Sequence, residues 1–155
     1  MRVLRLAIAT TVCIALTLTL ASAANAIRRP LFAALNGQNV IAQDGTKGAG
    51  DNNGGGSFSA VIKGQQLCYG LAVRDIGNPT MARIYRGGRN TNGPNLITLT
   101  HPETGDPGAS SGCTMIDQSL VRLIRRNPGR YYVNVHNSAY PGGAIRGQLF
   151  SRGGP

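Results

Sequence analysis

Apolar residues run almost unbroken over residues 6–20, and beyond residue 30 they alternate with polar ones in short stretches divided by glycine. The two patterns predict different things. The apolar run is preceded by Arg2 and Arg5 and followed by Ala21-Ser22-Ala23-Ala24-Asn25-Ala26. A positive start, an apolar middle and a small-residue A-x-A exit are the three parts of a secretory signal peptide. Cleavage after Ala23 or after Ala26 fits equally. The run approaches the roughly 20 residues that span a bilayer, but four threonines and the small-residue exit argue for removal. Cys13 lies inside the run, unlike a lipoprotein attachment site, and Arg28-Arg29 follow it, unlike a twin-arginine signal. The chain therefore divides into a signal peptide (1–26), one domain (27–150) and a disordered tail (151–155).

Within the domain the alternation has period two. Phe58, Ala60 and Ile62 share one face, and Leu67, Tyr69, Leu71 and Val73 share another; the short Gly64-Gln65-Gln66 link between them predicts a β-hairpin. Residues 31–35, 81–85 and 96–100 are further strand candidates, the last two joined by a Gly- and Asn-rich turn over 87–94. Over 130–136, Tyr131, Val133 and Val135 point one way, and Tyr132, Asn134 and His136 the other. A Pro141-Gly142-Gly143 turn leads into 144–150, a second hairpin. One stretch departs from this rule. Leu120, Val121, Leu123 and Ile124 have helical spacing, with Asp117 as N-cap and Pro128 as stop. Seven or so short strands and one short helix before the last hairpin predict an all-β, antiparallel sandwich or barrel. Residues 44–57 are polar and glycine-rich and predict a flexible connection; they lack the ligand spacing of an EF-hand.

Composition sharpens this picture. The chain has 16 Lys and Arg against 6 Asp and Glu, a net charge of +10. Losing Arg2 and Arg5 with the signal leaves about +8, which attracts acidic polymers such as surface polysaccharide, lipid headgroups or nucleic acid. The arginines are spread from Arg28 to Arg152 rather than gathered in one run, so taken alone the charge reads as a solubility feature. Of three cysteines, Cys13 departs with the signal, leaving Cys68 and Cys113. Two cysteines in an oxidising compartment most simply form one disulfide. The C-x-x-C spacing of a redox pair is absent, and a two-thiol metal site would need ligands this chain scarcely has.

Catalytic sets are hard to assemble. His101 precedes a proline in a turn-like stretch, and His136 lies on the polar face of a strand, too few and too scattered for zinc or copper. The six acids fall in predicted loops or at a cap, and no G-x-S-x-G elbow or phosphate-cradling loop is present. Arg83-Ile84-Tyr85-Arg86 and Arg130-Tyr131-Tyr132 come nearest to interleaved basic and aromatic residues, but strand tyrosines serve more often as core.

Tyr131-Tyr-Val-Asn-Val-His136 followed by Tyr140-Pro-Gly-Gly-Ala-Ile-Arg-Gly-Gln-Leu149 resembles the closing signature of the chordin-type (CHRD) domain. In order before it, Ala34-Leu-Asn-Gly37, Leu67-Cys-Tyr-Gly-Leu71, Gly93-Pro-Asn-Leu-Ile-Thr-Leu99, and Ser111-Gly-Cys113 with Ile124-x-x-Asn-Pro128 resemble earlier pieces, so the likeness covers roughly 31–150. It implies an exported immunoglobulin-like, Greek-key β-sandwich, and it supports pairing Cys68 with Cys113. Where the family usually reads Ala-His-Ile-His, this chain has Ala82-Arg83-Ile84-Tyr85, which puts any metal-binding role of those histidines in doubt. The opening strand's usual Glu-Val-Pro is also replaced.

These readings anticipate an exported, non-enzymatic binding or structural module of the envelope or extracellular space, with no cofactor. The expected partners are acidic envelope polymers or another extracellular protein, with no specific nucleic acid and no stable membrane span after cleavage. The expected ligand face is Arg83, Tyr85, Arg86, Tyr132, Asn134, His136 and Arg146. A metal-dependent enzyme on a related sandwich, copper–zinc dismutase-like, is the alternative, and its histidine requirement is unmet.

Overall fold

The computed structural model describes residues 29–152; the expected signal peptide, 1–26, and residues 153–155 of the expected tail lie outside the described residues. Nine strands form in chain order: β1 (Leu31–Asn36), β2 (Gly55–Lys63), β3 (Gln66–Arg74), β4 (Pro79–Arg86), β5 (Asn95–Leu99), β6 (Gly108–Met115), β7 (Tyr131–Asn137), β8 (Ile145–Gln148) and β9 (Phe150–Ser151). Among the described residues a single α-helix, α1 (Gln118–Arg126), lies between β6 and β7. Every pairing is antiparallel. The expected all-β class and the short helix before the last hairpin hold.

The two separate sheets implied by the resemblance to an immunoglobulin-like, Greek-key sandwich are not seen; of the sandwich and barrel that the strand pattern allowed, the architecture is nearer the barrel. Hydrogen bonding runs along one path, β5-β4-β7-β8-β1-β2-β3-β6, with β9 continuing β8's edge against β1. The ends of this path meet at one level: the Thr100 amide donates to Tyr69 Oη at 2.6 Å, and Ser110 Oγ donates to the Thr100 carbonyl at 2.7 Å. The result is a nearly closed, barrel-like sheet around a single core, in which Phe58, Leu67, Leu71, Ile84, Val133, Val135 and Ile145 are fully buried. Right-handed strand twist favours this closure, which leaves few unpaired edge groups.

Three local expectations change. Residues 108–115 form a strand, β6, although their sequence shows no alternation: its inward positions are Gly108, Ser110, Gly112 and Thr114. Gly112 has to be small because a Cβ there would come within 2.9 Å of Tyr69 Oη. Residues 44–57, expected as a flexible connection, are instead tied to the body of the fold: 55–57 belong to β2, and the connection 37–54 before it is anchored by close backbone contacts. A Cβ on Gly37 would strike the Asp51 carbonyl, Gly50 and Gly54 are buried, and the Asp51 amide donates to the Ala144 carbonyl at 2.8 Å. Close backbone contact does here what apolar side chains do elsewhere. Finally, Ser151, assigned to the tail, pairs with Leu31. Asp117 does occupy the expected N-cap position of α1, without a side-chain capping bond.

Candidate functional site

β4, β7 and β8 lie side by side, and their period of two places chosen residues together on the outer face. Arg83, Asn134 and Arg146 form one row across the strands; Tyr85, Tyr132 and Gln148 form the next, and His136 sits beside Met81. Six of the seven residues expected in a ligand face therefore do meet. Arg86 does not, because it follows Tyr85 by one position and stands exposed at the strand end. The meeting place is not an open surface. The connections 37–54, 87–94 and 138–144 fold over it and leave Tyr132, Asn134, His136 and Arg146 all at 5% exposure or less.

Arg146 is a structural cation. Its Nη1 donates to Asn92 Oδ1 at 3.0 Å, and its Nη2 donates to the carbonyls of Gly88 and Thr91 at 2.7 and 2.9 Å. Its guanidinium lies 3.5 Å from the centroid of the Tyr132 ring. No carboxylate shares this site; the single ion pair among the described residues joins Arg74 to Asp75. Burial lowers the pKa of Arg146 from its ordinary value and raises that of Tyr132, and the attraction between the two opposes both shifts. On the far side of Tyr132, the Tyr85 ring stacks at 5.2 Å with 8° between planes, giving a ladder of cation and two rings.

His136 closes the ladder. Tyr85 Oη and His136 Nε2 are 3.0 Å apart, and His136 Nδ1 is 2.9 Å from the Pro141 carbonyl. A carbonyl only accepts, so Nδ1 carries the proton and Nε2 accepts from the tyrosine. The ring is neutral, with a pKa lowered first by burial and then by the charge of Arg83, against the opposing Pro141 carbonyl. The unfolded chain, in which histidine titrates near pH 6.5, therefore takes up this proton before the folded state does. The contribution of His136 is complete above that pH and is lost as pH falls below it. Imidazole NMR should give a His136 midpoint below that of a free histidine, and H136Q should weaken the acid-side loss of stability. A midpoint above the free value would refute this assignment.

Beside the ladder lies a cleft of about 490 Å³ lined by Tyr85, Tyr132, Asn134, His136, Tyr140 and the 141–143 turn. Asn134 Nδ2 donates to the Gly142 carbonyl at 3.1 Å, whereas its Oδ1 and the Nε of Arg83 have no hydrogen-bond partner. Among the described residues no three of His, Cys, Asp and Glu come together as metal ligands. Cys68 and Cys113 are joined in a disulfide across β3 and β6.

A second feature was invisible along the chain. The antiparallel register sorts the connections between two ends of the barrel. One end receives Arg29 before β1, Lys63 at the β2–β3 turn, Arg86 and Arg89 after β4, Arg122, Arg125, Arg126 and Arg130 between β6 and β7, and Arg152 after β9. All nine are exposed, and among the described residues Asp117 is the one acidic side chain in their midst. The opposite end holds Asp44, Asp51, Asp75, Glu103 and Asp106, with Lys47 and Arg74 as its bases. The barrel is electrically polar.

No helix among the described residues is long and apolar enough to cross a membrane. Neither a curated protein nor a solved structure matches the chain. The sequence model of the CHRD domain, however, matches residues 31–149, from the first strand of the barrel to the residue before the last. On that match, which takes in both the stacked outer face and the helix of the basic end, the chain belongs to the CHRD domain family.

Proposed function

We propose that this chain is an exported, non-enzymatic CHRD-type module that binds acidic polymers of the envelope or extracellular space through its basic end. The observation carrying this reading is the gathering of nine exposed bases around one carboxylate. Such a surface attracts polyanions over a range set by ionic strength, about 8 Å at physiological salt. Two features support the rest. The disulfide fits an oxidising compartment, and both nitrogens of His136, the histidine in the cleft, are spent on Tyr85 and Pro141.

The stacked face then supports the fold and the basic end meets the partner. Residues 27–155 should be retained on immobilised polygalacturonate at low salt and released as salt rises. R122S with R126S should weaken binding about fivefold, from contributions of about 0.5 kcal/mol per exposed charge, without lowering thermal stability. Retention that is indifferent to salt, or unchanged in the double variant, would reject the charge-driven reading.

A further inference from the structure

The basic end has a second property. The exposed large apolar side chains, Val61, Leu96, Met115, Leu123 and Phe150, all lie in the half of the barrel nearest it. Met115 ends β6 and is 67% exposed, Leu123 stands on α1 at 47%, and Leu96 is the second residue of β5. Leu96 and Met115 flank the seam where β5 and β6 do not pair. There a groove of about 370 Å³ runs between the two strands and Leu120 of α1. On α1, Leu120 and Leu123 occupy one flank, and Arg122, Arg125 and Arg126 occupy the other.

An acidic polysaccharide accounts for the bases but offers nothing to exposed leucine and methionine. A second copy of the chain would bring nine bases against nine. A lipid bilayer with anionic headgroups meets both demands: phosphates for guanidinium groups, and the acyl boundary for apolar side chains about 5–10 Å below. Arginine suits that boundary, since its stem packs on apolar surface while its head stays with phosphate. We propose that this end of the barrel docks peripherally on an anionic lipid surface, with Leu96, Met115 and Leu123 entering the headgroup–acyl boundary. The proposal rests on the basic end being the binding surface, and it adds an anionic membrane to the polyanions that this surface attracts.

Residues 27–155, which hold every element of the fold, are the species to test, because the apolar run at 6–20 would bind lipid by itself. Sedimentation with vesicles of equal parts phosphatidylglycerol and phosphatidylcholine should carry the protein down, and vesicles of phosphatidylcholine alone should not. L123S with M115S, both at exposed positions, should reduce vesicle partition about tenfold. The same variant should leave polygalacturonate binding and the thermal midpoint unchanged. Polymer binding without vesicle binding would overturn this inference and leave the charge-driven reading standing. Vesicle binding without polymer binding would do the reverse, while binding to neither would remove both. Vesicle binding that the apolar variant leaves intact would overturn it too, as would a dimer that this variant dissolves.

Discussion

Replacing Arg146 with alanine is expected to destabilise the domain by about 3–5 kcal/mol, measured by denaturant unfolding. The residue is 1% exposed and spends its donors on Asn92 Oδ1 and the Gly88 and Thr91 carbonyls. Truncation leaves three acceptors without their donor, each costing about 1–3 kcal/mol when unsatisfied. It also strips one face of Tyr132, removing the cation 3.5 Å from its centroid. The damage should spread, because Asn92, which Arg146 fixes, donates in turn to the Ile41 and Ala42 carbonyls of the 37–54 connection. Amide exchange in both connections should therefore quicken.

R146K separates charge from shape. Lysine keeps the positive charge, but a single ammonium cannot reach three acceptors and lie flat on a ring. It should lose most of what alanine loses. A lysine variant as stable as the parent would mean that charge alone is required, and an alanine variant within about 1 kcal/mol of the parent would return Arg146 to the set of free ligand-binding bases.

Arg146 also marks where reading residues in order stops. The period of two in β4, β7 and β8 was visible in the sequence, and it brought Arg83, Tyr85, Tyr132, Asn134, His136 and Arg146 to one face. What covers that face was not visible. It depends on connections 37–54 and 87–94 folding back, and they do so through glycines and backbone hydrogen bonds that leave no hydrophobic pattern. β6 was hidden for a similar reason, since glycine, serine and threonine fill its inner positions where Tyr69 already occupies the space.

The basic end was hidden differently. Its bases come from five separate segments, and only the antiparallel register shows that those segments share one end. Scattered along the chain, they read as a solubility device; gathered in space, they make a surface. By contrast, the closing motif from Tyr131 to Leu149 was legible throughout. It encodes a hairpin together with the Gly143 turn, where φ is +136° and a Cβ would come within 2.5 Å of the Asn134 amide.

Removing the disulfide with C68S and C113S is expected to cost about 4 kcal/mol, the loop-closure entropy of the roughly 46-residue loop that it ties in the unfolded chain. The residues are 45 apart in sequence and pair directly across β3 and β6. That loss is a large fraction of the about 5–15 kcal/mol typical of a domain. β6 has little else to hold it. It pairs only with β3, and its inner side chains are too small to bury much apolar surface. The link from Ser110 Oγ to the Thr100 carbonyl, which helps bring the two edges of the sheet together, depends on β6 staying in place. Amides of β6 should therefore exchange fastest in the variant, while those of β7 keep their protection. Treating the parent with a reductant should reproduce the same loss. A loss below about 1 kcal/mol would mean that the ladder to β3 holds the strand by itself, and the disulfide would then mark the compartment the chain enters rather than what keeps its barrel nearly closed.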